Sequence, residues 1–306
     1  MELVFTRNIK TNYKTILNAW NEEFGESFPL TEKLIDKKLF HSRFTLEKES
    51  ICVFKNDNYI GSIFFKLYDD NLYISFIHVV RDERFKGYGK LLIEEGEKLA
   101  NKLNANKIIL GSDPDCLFSG VFMEGNDAVQ RFFSNQGFKR EYLNYNLITR
   151  NSPPATMKPK GFRVEKANEK YKEELLAFLE KNFSKRWLME VENNAIDQVY
   201  LLLKEERITG FINSALSSNE HLPNSLNLYQ LFDNLAGIGP LGIDPDYQSK
   251  GLGKYFVNYV IRDLFRNGAS EVMVDWTGLV DFYIKCGFEE VFKTYVIYSK
   301  KVGMNK

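Results

Sequence analysis

The chain has 306 residues, 44% of them hydrophobic, so it is long enough for two domains of ordinary size, each with its own core. Its 41 basic and 41 acidic residues give a formal charge of zero, which argues against nucleic acid as a partner. Three scattered cysteines exclude a disulfide framework, and no stretch approaches the roughly 18 apolar residues of a membrane-spanning helix. We therefore expect a cytoplasmic protein with no membrane partner.

The first half of the sequence alternates between strand and helix patterns. Strands are predicted at residues 3–7, 50–55, 59–67, 72–80, 107–110 and 142–149, and helices at residues 13–24, 32–40 and 90–103. Thr31 is a suitable N-cap for the second of these helices, and the run Asn56-Asp57-Asn58 favours a hairpin turn. We expect the strand at 142–149 to close the first sheet, which gives an N-terminal domain at residues 1–150.

The same order of patterns starts again after a linker. Residues 151–160 are rich in proline and polar side chains, which is typical of a linker. Strands follow at residues 162–166, 199–204, 207–214, 237–243, 272–275 and 295–299, and helices at residues 171–183, 187–194, 254–267 and 278–285. A repeat of about 160 residues is too long for a solenoid unit, so we interpret it as a duplicated domain, with the second copy at residues 161–306. The fold class is α/β with a mixed sheet.

A glycine-containing turn between a strand and a helix occurs once in each half. The two runs are Arg84-Phe85-Lys86-Gly87-Tyr88-Gly89-Lys90 and Gln248-Ser249-Lys250-Gly251-Leu252-Gly253-Lys254. Such a turn presents the free N–H groups of the first helical turn, and the glycines let a bulky anion lie against the main chain. The lysines add positive charge, so the expected ligand is a phosphate or a pyrophosphate.

The spacing does not fit a nucleotide-triphosphate loop or a dinucleotide fingerprint. Gln/Arg-x-x-Gly-x-Gly after a strand resembles the acetyl-CoA pyrophosphate loop of the GNAT (GCN5-related N-acetyltransferase) superfamily. A second block, Asp281-Phe282-Tyr283-Ile284-Lys285-Cys286-Gly287-Phe288, resembles the end of the fourth helix in that family, and residues 132–138 repeat it in the first half. The tandem arrangement is similar to that of mycothiol synthase-like proteins. The resemblance implies two tandem acyl-CoA N-acyltransferase (GNAT) domains that use acetyl-CoA.

The resemblance also assigns residues to the coenzyme A site of each half. Main-chain groups of Leu241, Gly242 and Ile243 would pair with the pantetheine arm, and Ile77, His78 and Val79 are their counterparts. The alternative is that both segments are simply buried strands.

Tyr283 corresponds to the tyrosine that serves as general acid toward the coenzyme A sulfur in the family, although a core aromatic is the competing interpretation. The first half has Phe133 at this position. Because a phenyl ring has no proton to donate, we expect the N-terminal domain to be weak or silent in catalysis.

The general base and the acceptor are less defined by the sequence. Asp275 is the base candidate at a strand end, although an aspartate before Trp276 also suits a helix start. Asp233 and Glu220 are further candidates in a long polar loop, residues 215–234. Residues 111–125 have no counterpart in the second half, and this insertion is either a site loop or a packing loop.

The sequence thus predicts an N-acetyltransferase that moves acetyl from acetyl-CoA to a primary amine of a small molecule or peptide, mainly in the C-terminal domain. The alternative is an acyl-CoA-binding or regulatory protein with degenerate acetyltransferase domains. The three histidines are isolated from one another and from the cysteines, so no metal site is expected. A homodimer is compatible with these features.

Overall fold

The computed structural model describes residues 3–124 and 127–303, which form two compact units. Unit 1 is drawn from residues 1–144 and 293–306, and unit 2 from residues 145–292. Each unit contains a mixed sheet with helices packed on it, as the sequence predicts.

The sheet of unit 1 is built mainly from the first half of the chain. Its strands are β1 (Leu3–Thr6), β2 (Ile51–Lys55), β3 (Asn58–Tyr68), β4 (Asn71–Val79), β5 (Lys107–Leu110) and the short β6 (Val121–Phe122). Its helices are α1 (Ile9–Phe24), α2 (Glu32–Ile35, continued by a short π-helix, Asp36–Phe40), α3 (Tyr88–Lys102) and α4 (Asp127–Asn135). Strands β1 to β4 pair antiparallel in sequence order, and β4 pairs parallel with β5.

Unit 2 repeats this arrangement. Its strands are β8 (Phe162–Lys166), β9 (Val199–Lys204), β10 (Arg207–Leu216), β11 (Leu235–Ile243) and β12 (Glu271–Thr277). Its helices are α5 (Lys172–Asn182), α6 (Lys185–Glu192), α7 (Leu252–Arg266) and α8 (Val280–Lys285). Strands β8 to β11 pair antiparallel, and β11 pairs parallel with β12.

Local sequence signals fix several of these elements. The side chain of Thr31 accepts a hydrogen bond from the Leu34 N–H at 3.1 Å, so it caps α2 as expected. Asn56 and Asp57 both have positive φ, which produces the tight β2–β3 hairpin that their residue types favour. Helix α1 begins at Ile9, four residues before the predicted start, because the Asn8 side chain caps it.

The last strand of each unit comes from the other half of the sequence. β7 (Lys139–Thr149) pairs with β12 through Val272↔Thr149 and Met273↔Ile148, and residues 145–149 therefore belong to unit 2. β13 (Glu290–Lys301) pairs with β5 through Tyr298↔Leu110 and Ser299↔Ile109 in unit 1. The expectations that residues 142–149 close the first sheet and that residues 295–299 complete the second were wrong. The compact units accordingly do not coincide with the sequence boundaries at 150 and 161.

The exchanged strands contribute to both hydrophobic cores. Val296 and Tyr298 are fully buried in the core of unit 1, where the Tyr298 ring lies 6.0 Å from the ring of Phe133. Leu147 is fully buried in the core of unit 2, beside α7 and α8. Removing either strand would therefore remove core side chains as well as a ladder of hydrogen bonds.

The insertion after β5 is packed against unit 1 over its described residues, 111–124. Lys66 on β3 is fully buried, and its ammonium donates to the carboxylate of Asp113 at 2.9 Å and to the carbonyls of Pro114 and Asp115. Cys116 and Leu117 are also buried. Of the two interpretations of this segment, packing is the one that these contacts support. Gly125, its last residue, lies outside the described residues.

We expect Lys66→Met to destabilise the protein strongly. The substitution leaves a buried carboxylate without its cation and removes the donor to two carbonyls, and breaking a buried ion pair costs about 3–5 kcal/mol. Urea unfolding would measure the loss. Lys98→Met is the matched control, because the ion pair of Lys98 with Glu95 is on the surface. Loss of this surface pair should leave the unfolding midpoint nearly unchanged. Equal midpoints for the two variants would contradict the anchoring role of Lys66.

Candidate active site

In both units the two parallel strands separate at the same register. The β4–β5 ladder ends at Ile74↔Leu110, and the β11–β12 ladder ends at Ile238↔Val274. Beyond these pairs, residues 76–79 stay paired with β3 and residues 241–243 with β10, and within the described residues neither segment pairs with the following parallel strand. The main-chain groups on the other edge of each segment are therefore available to an extended ligand.

The residues expected to contact pantetheine lie on these separated segments. In unit 2, Leu241, Gly242 and Ile243 pair with β10 on one side only. In unit 1, Ile77 and Val79 pair with Ile63 and Gly61 of β3. Both sets are partly or fully buried, so the buried-strand interpretation also holds.

The glycine turn of unit 2, residues 248–254, has an open concave backbone. Gly251 has φ +74° and is the N-cap of α7 without any side-chain cap hydrogen bond. A Cβ atom placed on Gly251 would meet nothing within 4 Å, and Ser249 also has positive φ, +59°. Left-handed residues near a helix N-terminus turn successive N–H groups toward one side, which is the geometry of an anion-binding concavity.

The turn of unit 1, residues 84–90, has the same backbone. Gly87 caps α3 with φ +91°, again with no side-chain cap and with nothing within 4 Å of a Cβ. Phe85, at the position of Ser249, has φ +61° and is 99% exposed. The duplicated sequence motif therefore forms a duplicated backbone.

The second glycine of each turn has a packing role, and whether its N–H also faces the ligand stays a prediction. A Cβ on Gly253 would lie 3.3 Å from the ring of Phe282, and one on Gly89 would lie 3.1 Å from the ring of Phe132. These rings belong to α8 and α4, so the glycine lets the fourth helix pack against the turn.

The first side chain of each turn is used to fix the turn to the strand end. Gln248 Nε2 donates to the carbonyl of Ile243, and Arg84 Nε donates to the carbonyl of Val79, both at 2.9 Å. The side chains expected to bind the cofactor thus position the backbone that would bind it.

The cations of the two turns differ in their surroundings. In unit 1, Lys86 and Lys90 each lie within 4 Å of a glutamate, and Arg84 Nη2 is 2.6 Å from the Glu23 carboxylate. In unit 2, Lys250 donates to the carbonyl of Asp246, and neither it nor Lys254 makes an ion pair within residues 3–124 and 127–303. The positive charge of the second turn is therefore less neutralised, which favours anion binding there.

Tyr283 and Phe133 occupy equivalent positions in the two cores. Tyr283 is 4% exposed and lies edge-on to Phe288 with ring centroids 5.3 Å apart, and Phe133 lies edge-on to Phe138 at 5.9 Å. Burial, with smaller contributions from Cys286 and Asp275, raises the pKa of Tyr283 above its usual value of 10. The phenol therefore keeps its proton throughout the physiological pH range, and it is also part of the core.

Asp275 lies inside β12 and faces the separation of the strands. A Cβ on Gly239, the first residue of β11 beyond the ladder, would lie 3.5 Å from the Asp275 carboxylate. The alternative role as a helix cap was wrong, because Thr277 Oγ1 accepts the Leu279 N–H ahead of α8. Asp233 and Glu220 are both exposed in the loop 215–234.

One buried histidine of unit 1, His78, was expected to offer only its main chain to the pantetheine arm, and no role was predicted for its side chain. His78 lies at the register position of Gly242, is 3% exposed, and is surrounded by the rings of Trp20, Phe24, Tyr59 and Phe76. Within the described residues its ring nitrogens make no hydrogen bond, and Nε2 is 3.6 Å from the Glu23 carboxylate. In unit 2 the corresponding space over Gly242 is filled by the ring of Phe183.

The burial of His78 predicts acid sensitivity. Desolvation lowers the pKa of His78 to about 4 from its usual 6.5, against a partial opposing effect of Glu23. Because the unfolded chain binds this proton at higher pH than the folded chain, the free energy of unfolding should fall as pH drops from about 6.5 to 4, by about 3 kcal/mol. Comparing pH-dependent urea unfolding of the wild type with His78→Phe would measure this. An unchanged pH profile in the variant would contradict it.

These features define a duplicated α/β fold in which unit 2 holds the full set of candidate groups. A family model, the acetyltransferase (GNAT) family, matches residues 13–138 and 164–288. These regions cover most of the chain, which therefore belongs to the acetyltransferase (GNAT) family with one domain in each half. No curated protein sequence matches the chain.

Solved structures show the same tandem fold. The chain aligns with a GCN5-related glucosamine N-acetyltransferase region of a fungal multi-domain GH3 beta-N-acetylglucosaminidase at TM-score 0.84 and 18% identity, covering 98% of this chain and 38% of that one. It aligns with a GCN5-related N-acetyltransferase from Sphaerobacter thermophilus at TM-score 0.74 and 15% identity, covering 98% and 96%. A tandem GNAT protein from the clavulanic acid biosynthesis pathway gives TM-score 0.68 and 14% identity over the full length of both chains.

Among the described residues, no helix is long and apolar enough to cross a membrane. Over the same part of the chain, no group of three or more histidine, cysteine or acidic side chains is arranged to hold a metal ion.

Proposed function

We propose that this protein is an acetyl-CoA-dependent N-acetyltransferase whose second unit transfers the acetyl group to a primary amine of a small molecule or peptide. The observation that carries the proposal is the open backbone of residues 248–254, next to separated strands and a buried tyrosine. A phosphate-bearing, extended thioester carrier fits this combination better than a compact nucleotide.

Different residues of unit 2 would bind the pyrophosphate and the pantetheine arm of this carrier. The N–H groups of Gly251, Leu252 and Gly253, with Lys250 and Lys254, would hold its pyrophosphate. The free edge of residues 239–243 would hold its pantetheine arm. When bound, acetyl-CoA supplies an acetyl group activated as a thioester.

Two side chains would assist the reaction in this proposal. The Tyr283 hydroxyl holds a proton that it donates as a hydrogen bond to the departing sulfur, and its raised pKa keeps that proton in place at neutral pH. The Asp275 carboxylate attracts the amine and accepts its proton as the new bond forms. Most of the acceleration comes from holding the reactants together.

Unit 1 has a degenerate site in this proposal. Phe133 replaces the acid, carboxylates neutralise the cations of the turn, and aromatic rings surround His78 where an acceptor would approach. Unit 1 therefore contributes structure and, at most, weak coenzyme A binding.

Gly251→Ala tests the proposed binding turn. The methyl group would fill only the open concavity, so it should raise the Kd for coenzyme A at least about tenfold in calorimetric titration. It also strains a residue with φ +74°, by about 1–2 kcal/mol. Gly268→Ala is the matched control, because Gly268 also has positive φ and lies beyond the other end of α7, with its nearest neighbour 3.8 Å from a Cβ.

The outcomes separate binding from strain. Weakened binding in Gly251→Ala and normal binding in Gly268→Ala support the proposal, as does release of free thiol in the presence of an amine. Equal binding by both variants, or no uptake of coenzyme A by the wild type at millimolar concentration, would refute it.

A further inference from the structure

A cavity of about 410 Å³ lies on unit 1, and this volume is within the range of small-molecule sites. Its lining residues come from the residue after β1, the segment that leads into β2 and the second half of α3. Two of them, Ile51 and Leu99, are 2% and 8% exposed and give the wall an apolar part. The other lining side chains are all charged. The cavity therefore offers both an apolar surface and a concentration of charge to a ligand.

The net charge of this lining is positive. The cations are Arg7, Lys48, Lys98 and Lys102, and the carboxylates are Glu49 and Glu95. Their formal charge is +2, in a chain whose formal charge is zero. A cavity lined by one excess sign of charge raises the local concentration of ligands of the opposite sign.

Ion pairs within the lining neutralise only part of the positive charge. Lys98 Nζ is 2.6 Å from the Glu95 carboxylate, and Arg7 Nη2 is 4.0 Å from the same group. Arg7 Nη1 donates to the main-chain carbonyl of Glu49 at 2.9 Å, which holds the guanidinium beside the cavity. Across the part of the chain that the structure describes, Lys48 and Lys102 make no ion pair. These two lysines are therefore available to an anionic ligand.

At the equivalent positions of unit 2, two side chains are bonded to each other. Ile51 and Tyr200 each lie four residues before the end of the strand that pairs with β1 or β8. Leu99 and Asp263 each lie 12 residues after the glycine that caps α3 or α7. The buried Tyr200 donates its hydroxyl to Asp263 at 2.7 Å, and Lys166 Nζ is 5.3 Å from the centre of the tyrosine ring. Because unit 1 has neither this large ring nor this carboxylate at the two positions, its wall leaves more space and more positive charge.

The cavity is distinct from the glycine turn of unit 1. Lys98 and Lys102 lie 11 and 15 residues after Gly87, which caps α3. At 1.5 Å for each residue they are about 16 and 22 Å further along the helix. The C-terminal end of a helix carries a partial negative charge, so the lysine and arginine side chains provide the attraction for an anion here.

We propose that this cavity binds a small phosphate monoester that carries an apolar ring. The proposal does not depend on the proposed acetyltransferase function. A phosphate monoester has a charge of about −1.5 to −2 at pH 7, which complements the formal charge of the lining, and lysine is a common ligand of phosphate. The ring would cover Ile51 and Leu99, whose apolar side chains a fully hydrated ion would not use.

Four compounds test the proposal by calorimetric titration of the full-length protein. 1-Naphthyl phosphate, 1-naphthalenesulfonate and 1-naphthol share one ring system and carry about two, one and no negative charges, and inorganic phosphate lacks the ring. Lys48→Gln and Lys102→Gln each remove one cation from the lining. Lys139→Gln is the matched control, because Lys139 is an exposed lysine at the start of β7, in unit 1, and is not among the lining residues.

We expect 1-naphthyl phosphate to bind the wild type at least about tenfold more tightly than 1-naphthol, with the sulfonate in between and inorganic phosphate weaker than its naphthyl ester. Lys48→Gln and Lys102→Gln should each raise the Kd for 1-naphthyl phosphate by about 3- to 10-fold, whereas Lys139→Gln should leave it nearly unchanged. Binding of 1-naphthol as tight as that of the ester would overturn the proposal. So would lysine variants that behave like Lys139→Gln, or no binding of the ester by the wild type at millimolar concentration.

Gly251→Ala separates the cavity from the turn that is proposed to bind coenzyme A. Because Gly251 belongs to unit 2, this variant should bind 1-naphthyl phosphate as the wild type does. A Kd that changes in Gly251→Ala but not in Lys48→Gln or Lys102→Gln would assign the phosphate to the turn and overturn the proposal for the cavity. Coenzyme A affinity should be the same in the two lysine variants as in the wild type, so each proposal can fail while the other holds.

Discussion

Tyr283→Phe is expected to lower kcat by about 10²- to 10⁴-fold, which is the usual contribution of a positioned general acid, while the Kd for coenzyme A stays close to that of the wild type. The substitution removes only the hydroxyl, because unit 1 already holds Phe133 in an equivalent edge-on contact with Phe138. Thiol release at saturating acetyl-CoA and amine would measure the effect.

Two variants control for general effects of this substitution. Tyr255→Phe removes a hydroxyl from another buried tyrosine of the same core and should leave kcat near the wild-type value. Phe133→Tyr adds a hydroxyl at the equivalent position of unit 1 and should not change the overall rate. Full activity in Tyr283→Phe would contradict the acid role and leave Tyr283 as a core residue.

The raised pKa of Tyr283 extends this prediction to alkaline solution. Since burial disfavours the phenolate, loss of the Tyr283 proton should not reduce kcat up to pH 10. A fall in kcat with an apparent pKa near 9 that is absent from Tyr283→Phe would contradict this assignment.

Local chemistry explains which parts of the fold could be predicted from the sequence. The hairpin at Asn56 and Asp57 and the turn at Gly251 depend on backbone conformations that few residue types adopt, so the residue types indicate the structure. The strand and helix order followed from hydrophobic periodicity. In each case the signal lies within a few residues of the feature that it specifies.

Features that depend on distant contacts were not predictable in this way. Gly253 has the same residue type as Gly251, and only the position of Phe282 shows that it packs against a helix. The stack of Arg186 on Trp276 joins residues 90 positions apart. The strand exchange belongs to this class as well, because the strands that β7 and β13 pair with lie more than 100 residues away in the sequence.

The exchange predicts that residues 1–150, expressed alone, do not fold into a stable domain. This fragment lacks β13, so it loses the buried side chains Val296, Ile297 and Tyr298 and exposes β5 as a sheet edge. At roughly 1.5–3 kcal/mol for each side chain, the loss is comparable with the whole stability of an ordinary domain. Circular dichroism with urea titration would show a broad transition without a native baseline.

A rearranged chain provides the control for this experiment. Residues 1–144 joined through a flexible linker to residues 293–306 restore the β5–β13 ladder and should unfold cooperatively. Cooperative unfolding of residues 1–150 at the same midpoint would mean that β7 replaces β13 beside β5, and the exchange would then not be required for folding. If the rearranged chain unfolds cooperatively and residues 1–150 do not, the first half of the sequence depends on a strand from the second half. The two sites are then best compared with single-residue variants of the full chain, because a separated half would not fold.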